Sequence, residues 1–430
     1  MDVDAPCRVI ARPRLYDWTF VQCIASRLVA FAAALLGSSC GSDVIVGINP
    51  VADATASDSG PATADAELAD AGADVSSGDG AGPLIETGAL AAASQGASGW
   101  LVAGHAGGPT GNEASSDAWW RFVAADGAGL AEQRVDVAGG SDRITAALAY
   151  PDGGYVVAGT TTTGASTPSI AWLRRLRPDG SELWTRTFDD GANPMTAEAL
   201  ALGTTGTIIV AGNEGSPTDG WVARVQPDGT LAFRLDLRGT GGKGTRVFAV
   251  GVSQLDHVFA GGQRTLVTDA GVVDAPTILQ VGPLGDLFNS STSRFAAGTT
   301  GTVRGVMLVA PDTFVLCADT NLGPSVARID GLFTKSEVYT YATPFPTRLA
   351  GCAFATDGSV LLGGTAGAAT GAAPWLAKHD LASFAPRWTR SPAVARPTSG
   401  LTVAAGAGGV GLLAGRSEGP SAAWWSVEAP

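Results

Sequence analysis

Histidine is almost absent from this chain, with three in 430 residues: His105, His257 and His379. A Ser-His-Asp triad or a histidine-rich zinc site needs imidazoles converging on one point, and three scattered ones do not supply it. Cysteine is scarce and wrongly spaced for metal. Of five, Cys7, Cys23 and Cys40 lie in the first 40 residues, which leaves Cys317 and Cys352 in the body of the chain and no CxxC anywhere. Basic residues are outnumbered. With 27 Lys and Arg against 40 Asp and Glu, the net charge of −13 has the wrong sign for a surface that neutralises phosphates. Charged residues make up only 16%, too few for long solvated helices. Past the leader no window of about 18 apolar residues occurs, so no spanning helix is expected there. No metal, cofactor or nucleic acid is therefore expected as a partner.

What is present at the N-terminus is an export pattern. Residues 28–36, LVAFAAALL, follow Arg27 and end in Gly37, Ser38 and Ser39, the apolar core and cleavage region of a secretion signal. The basic region before it, with Arg8, Arg12 and Arg14, is unusually long. Cys40 occupies the place of an acylated cysteine, because LLGSSC resembles a bacterial lipobox with Gly37 where leucine is usual. A free cysteine after an ordinary signal peptide is the other reading. Residues 41–83 carry Asp43, Asp53, Asp58, Asp65, Glu67, Asp70, Asp74 and Asp79 with no basic residue among them, in a background of Ala, Ser, Gly and Thr. So few large apolar side chains cannot offset ordering entropy, and a disordered acidic tether is expected rather than a calcium loop.

Glycine, at 59 residues, and proline, at 24, mark many tight turns. A few apolar residues ending in Ala-Gly or a close variant recur seven times: Leu101–Gly104, Val156–Gly159, Ile208–Gly212, Val258–Gly261, Val315–Ala318, Leu361–Gly364 and Leu412–Gly415. The spacing of about 45 to 60 residues belongs to propellers or solenoids. Each unit opens on a strand of small residues such as TAALAY. A PDGG-type turn, the Ala-Gly strand, a polar loop, an aromatic strand such as AWLRRL, a PDG turn and a fourth strand come after it. Hairpin turns between all strands exclude a parallel solenoid. The expected fold is all-β, a seven-bladed β-propeller of four-stranded antiparallel blades over residues 84–430. The last unit has three strands, ending at Trp424–Val427, and Leu84–Thr87 is expected to supply its outer one.

The unit PDGGYVVAGTT…AWLRRLRPDGSELWTRTF resembles the secreted seven-bladed propeller repeats of soil-bacterial surface proteins and lipoproteins, those of myxobacteria in particular. The resemblance covers about residues 84–430 and is strongest in the second, third and sixth copies. The fourth and fifth carry Ile278-Leu279 and Val326 where the aromatic is expected. It implies the fold and an envelope location. A weaker likeness to quinoprotein-type docking repeats rests on Trp184 and, loosely, Trp388.

Most distinctive residues have a folding role in this scheme. The Asp-Gly pairs at 126, 152, 179, 228 and 357 are turn chemistry. Trp119, Trp172, Trp221, Trp375 and Trp424 are packing between blades, and one of each pair Trp119-Trp120 and Trp424-Trp425 is expected at a blade surface. His105, His257 and His379 are read as surface histidines. Cys317 and Cys352 fall on neighbouring blades within disulfide reach, as a bond or as two buried thiols. One feature is left. Arg143, Arg246, Arg304 and Arg348 lie at or within a residue of the start of the innermost strand, on the face of the long second–third loops 105–117, 160–169, 213–219 and 263–276. A partial guanidinium ring there favours a carboxylate or sulfate by bidentate hydrogen bonding. Bracing by pairing with Asp142, Asp189, Asp190 or carbonyls is the competing account. The expected protein is a monomeric, exported, lipid-anchored binding or interaction module taking an acidic glycan or an envelope protein. A propeller lyase, a quinoprotein-like oxidoreductase and an envelope scaffold are the alternatives.

Overall fold

The computed structural model describes residues 91–428, apart from short stretches that lie mostly between strands. The expected leader 1–40 with Cys40, the linker 41–83 and the strand expected at 84–87 all lie outside the described residues. The chain divides into Met1–Val44 and Ile45–Pro430, and every described strand belongs to the second of these units.

Each of those strands pairs antiparallel, in six four-stranded sheets and one three-stranded sheet, all in simple meander order. The chain is a β-propeller of four-stranded antiparallel blades. The inner strands are Ala91–Ser94, Ser141–Ala149, Met195–Leu202, Thr245–Val252, Gly301–Ala310 and Thr347–Ala355 in blades 1 to 6, and Thr398–Ala405 in the three-stranded sheet. Successive inner strands lie side by side, and the last also neighbours the first. Twisted sheets packed face to face bury their middle strands from both sides. Accordingly Tyr155–Thr161 and Ala171–Leu176 of blade 2 are buried throughout, while its outer strand, Glu182–Phe188, is largely exposed.

The Ala-Gly motif acquires a reason in the strand register. Gly104, Gly159, Gly212, Gly364 and Gly415 stand directly opposite Trp119, Trp172, Trp221, Trp375 and Trp424. A Cβ on Gly159 would meet the Trp172 ring at 2.4 Å, so the glycine makes room for the cross-strand indole. Trp119, Trp172 and Trp221 are fully buried, and removing one such side chain costs about 3–5 kcal/mol. Trp120 is buried as well, at 3% exposure, which corrects the expectation that one of the 119–120 pair reaches the surface.

Blades 4 and 5 put Thr277 and Ser325 at the tryptophan position, one residue before Ile278 and Val326. On the Ser325 face, between blades 4 and 5, the interior is filled by a cluster around Phe259, Phe295 and Phe314, with the rings of Phe259 and Phe314 centred 3.8 Å apart. The segment 263–276, expected as a loop, is mostly strand. Val258–Thr268 and Gly271–Val281 form a hairpin of 11-residue strands, longer than those of the other blades.

Adjacent blades are clipped by one recurring position, the residue after Gly212, Gly262 or Ala318. In blade 3 the Asn213 amide donates to Val247 O at 3.0 Å and accepts from Val247 N at 2.8 Å. Gln263 of blade 4 accepts from the Thr302 hydroxyl at 2.5 Å, and Asp319 of blade 5 accepts from Leu349 N at 3.2 Å. On the outer strands Trp184 Nε1 donates to Pro227 O of the next blade at 2.9 Å.

Candidate functional site

The inner strands of blades 2 to 6 share a β-bulge, in which two residues oppose one on the second strand. The extra residues are Thr145, Glu198, Phe248, Arg304 and Ala350. In blades 2, 4 and 6 a glycine faces the residue before the bulge, whereas blade 5 forms the same bulge opposite Ala318. A Cβ on Gly159, Gly262 or Gly364 would lie 2.1, 1.8 or 1.9 Å from the carbonyl oxygen of Arg143, Arg246 or Arg348. Bulges bend a strand and re-aim its side chains, here on the inner edge that faces the axis.

This register sorts the four sequence-predicted arginines into two kinds. Arg143, Arg246 and Arg348 are equivalent, each one residue before the buried Ile144, Val247 or Leu349 that faces the motif glycine. Arg304 is not their equivalent: Thr302 holds that position, and Arg304 is the bulge residue, three past the start of its strand. The expectation that all four lie at or within a residue of the start of the inner strand holds for Arg246 and Arg348, whereas Arg143 is two residues past the start and Arg304 three. Arg143, Arg246 and Arg348 are exposed and Arg304 is half-buried.

Two of the four, Arg246 and Arg304, converge on one ring. The guanidinium carbons of Arg246 and Arg304 lie 5.6 and 5.2 Å from the centroid of the Phe248 ring, within cation–π range. Burial pulls the Arg304 pKa down. Asp319 and Glu198 oppose that, whereas the like charges of Arg348 and Arg246 add to it. Arg304 Nε is buried with no hydrogen-bond partner among the described residues. Arg143, on blade 2, has no such tie to the other three among the described residues.

The competing account, that these arginines brace loops by pairing with carboxylates, is not what the described residues show. Arg121, Arg134, Arg174, Arg175, Arg234, Arg328 and Arg387 each form an ion pair. Arg143, Arg246, Arg304 and Arg348 form none among the described residues. Asp142 instead accepts from Val137 N at 2.6 Å, and Asp189 from Gly191 N at 2.7 Å.

Sequence reasoning missed Glu198 and Phe248, which share the bulge position with Arg304 on consecutive blades. Their signal lay two residues beyond the position of Arg246 and its blade-3 counterpart Thr196, in the runs TRVF and TAE.

It also missed a row of cations on the third strands: Arg175, Arg224, Arg328 and Lys378. These serve the opposite end of the blades. Arg175, 1% exposed, donates to Tyr155 O at 2.9 Å, pairs with Asp152 at 2.5 Å and lies 3.7 Å from the Tyr150 ring centroid. Lys378 pairs with Asp357 at 2.7 Å, and Arg224 donates to Asp256 O of the next blade. The turn aspartates therefore hold backbone and buried cations together. Asp179 and Asp228 each accept from the amide two residues on at 2.9 Å.

His379 corrects the surface reading of the histidines. It is 3% exposed, edge-on to Tyr341 with ring centroids 4.1 Å apart, and burial pushes its pKa down to about 4. His257 sits at an inner-strand turn with Nδ1 3.1 Å from the Gln280 amide. Cys317 and Cys352 are joined between blades 5 and 6, with Cα atoms 6.4 Å apart. Their positions match Gly261 and Val306 one blade earlier, where a Cβ on the glycine would lie 2.6 Å from the valine. The disulfide thus occupies an ordinary contact between blades. Among the described residues no group of three or more His, Cys, Asp or Glu is placed to hold a metal, and no helix is long and apolar enough to cross a membrane.

No protein-family profile matches the chain, and neither does any curated protein sequence. Solved structures do match it in fold. YCF48 bound to D1 peptide is 11% identical, covers 81% of this chain and 94% of its own, and superposes with a TM-score of 0.50. Chaetomium thermophilum Sqt1, bound to the N-terminus of ribosomal protein L10, is 13% identical over 80% of this chain and 97% of its own, with a TM-score of 0.46. The propeller domain of the Pyrococcus furiosus Trilobed protease is 9% identical over 79% and 92%, with a TM-score of 0.47. At such identities the likeness is one of architecture. The chain is a propeller, and its resemblance to secreted lipoprotein propellers is supported only to that level.

Proposed function

We propose that this protein is a binding module that takes a carboxylate-bearing segment of a partner protein at the inner rim formed by Arg246, Arg304 and Arg348. One observation carries the reading: two guanidinium groups without ion-pair partners among the described residues, those of Arg246 and Arg304, flank one ring, with the like charge of Arg348 acting on Arg304, in a chain of net charge −13. Like charges held together without counter-ions cost free energy, and a bound anion removes that cost. Planar guanidinium groups match carboxylates bidentately. The Phe248 ring presents a partly buried apolar floor. The YCF48 structure holds a peptide, which supports the same use of the fold here.

The remaining parts of the reading rest on sequence. The three-stranded sheet Thr398–Glu428 serves as the seventh blade, between blades 6 and 1. Export and lipid anchoring through Cys40 place the module at the envelope on an acidic tether, a setting in which the Cys317–Cys352 bond persists. An acetylated hexaglutamate peptide tests the binding claim. It binds the purified protein saturably and loses affinity at least tenfold in R304Q and R348Q. Binding to an acidic oligosaccharide instead of any acidic peptide replaces the protein partner with a glycan. Equal binding by the wild type and by both variants removes the site. Mass analysis of Cys40 from the native membrane fraction tests the anchor, with an unmodified thiol against it.

A further inference from the structure

Glu198, Phe248 and Arg304 occupy one position on three consecutive inner strands, each being the extra residue of its bulge. Round the inner rim the order is therefore carboxylate, aromatic ring, guanidinium. Among the described residues no ion pair or hydrogen bond engages the Glu198 carboxylate. It is nevertheless close enough to Arg304 to raise that group's pKa. The two charges do not pair directly, and the ring between them is half-buried. Asp319, the other acid felt by Arg304, accepts a hydrogen bond from Leu349 N and is committed to holding blade 6.

A ligand with one charge meets only half of this arrangement. A compact zwitterion carries both charges on one carbon, whereas Glu198 and Arg304 stand on inner strands two blades apart. We infer that the rim recognises an elongated zwitterion, with a carboxylate on Arg304 and Arg246, an aliphatic spacer past Phe248 and an ammonium group on Glu198. A C-terminal lysine of a protein has this chemistry, and so does a free ω-amino acid. The inference rests on the carboxylate site proposed above and adds the ammonium pocket to it.

The test compares 6-aminohexanoate with hexanoate by calorimetric titration of the purified protein in wild-type, E198Q and R304Q forms. The expected result is that 6-aminohexanoate binds wild type at least tenfold tighter than hexanoate. E198Q erases that preference while hexanoate still binds, and R304Q weakens both. A second readout is saturation transfer between the ligand methylenes and the Phe248 ring, lost in F248L. Peptides ending in a free lysine carboxylate and the same peptides amidated identify the source. Binding only of the free-ended peptides assigns a protein tail, and binding only of the small zwitterion assigns a metabolite. Hexanoate binding as tightly as 6-aminohexanoate overturns the inference and leaves the carboxylate site standing. If neither compound nor hexaglutamate binds, both readings fall.

Discussion

The carbonyl oxygen of Arg348 lies 1.9 Å from the point where a Cβ on Gly364 would stand. No side chain fits there without a shift, so in blade 6 the backbone at Arg348 packs against a hydrogen of the neighbouring strand. Gly159 with Arg143 and Gly262 with Arg246 repeat the relationship. The glycines opposite the cross-strand position thus also leave room for the backbone of Arg143, Arg246 and Arg348.

Gly364→Ala therefore has two effects. The overpacked bulge must shift, at a cost of about 1–3 kcal/mol in unfolding free energy by urea titration. Affinity for an acidic peptide also falls, although no ligand-contacting side chain has changed. Gly358→Ala, at a turn with open space beside the glycine but a φ of +73°, gives a control in which stability falls and affinity does not.

Gly305 makes room for the disulfide. A Cβ there would stand 2.2 Å from Cys352 Sγ. Removing the bond as C317S/C352S is expected to destabilise the fold by about 2–4 kcal/mol, since the bridge closes a loop of 35 residues in the unfolded chain. Thermal unfolding with and without reductant measures it. Gly305→Val leaves two titratable thiols in place of the bond.

Two buried groups give opposite pH slopes. The His379 pKa falls from 6.5 to about 4 because burial penalises its cation, with a weaker opposing bond to Phe384 O. The unfolded chain then binds the proton first, so stability present above about pH 6.5 is lost as pH falls toward 4, by about 3 kcal/mol. Asp142 is fully buried, and desolvation raises it from 3.8 to about 6 despite bonds from Thr161 and Val137 N. Its folded acid holds the proton more tightly, so its contribution is present below about pH 3.8 and is lost as pH rises through 6, again by about 3 kcal/mol. The slopes offset one another between about pH 4 and 6. Unfolding free energies across that range are expected to fall on acidification in D142N and to rise in H379Q.

The sequence made the blades legible because their signals are local. Asp-Gly turns, alternation and the Ala-Gly motif each depend on residues close in the chain, and all seven motif copies fall on second strands. The arginines were visible as a repeated residue type near the start of each unit. What could not be read was the bulge, because an extra residue changes no residue type and shows only against its partner strand. That is why Arg304 was grouped with Arg246, and why Glu198 and Phe248 went unnoticed. Compensation was equally hidden. Ser325 looks like erosion in sequence, whereas Phe259, Phe295 and Phe314 fill the same interior from other positions. The burial of His379 depends on Tyr341, which arrives from the preceding blade.

The most direct test of carboxylate binding at the rim is a calorimetric titration of acetylated hexaglutamate into the purified protein and its R246Q/R304Q/R348Q variant. Arg177→Gln, a change at the opposite end of the blades, serves as control. Saturable, salt-sensitive binding is expected for wild type and R177Q, with a loss of at least tenfold in the triple variant. Equal affinity in all three proteins would contradict a binding role for the rim arginines.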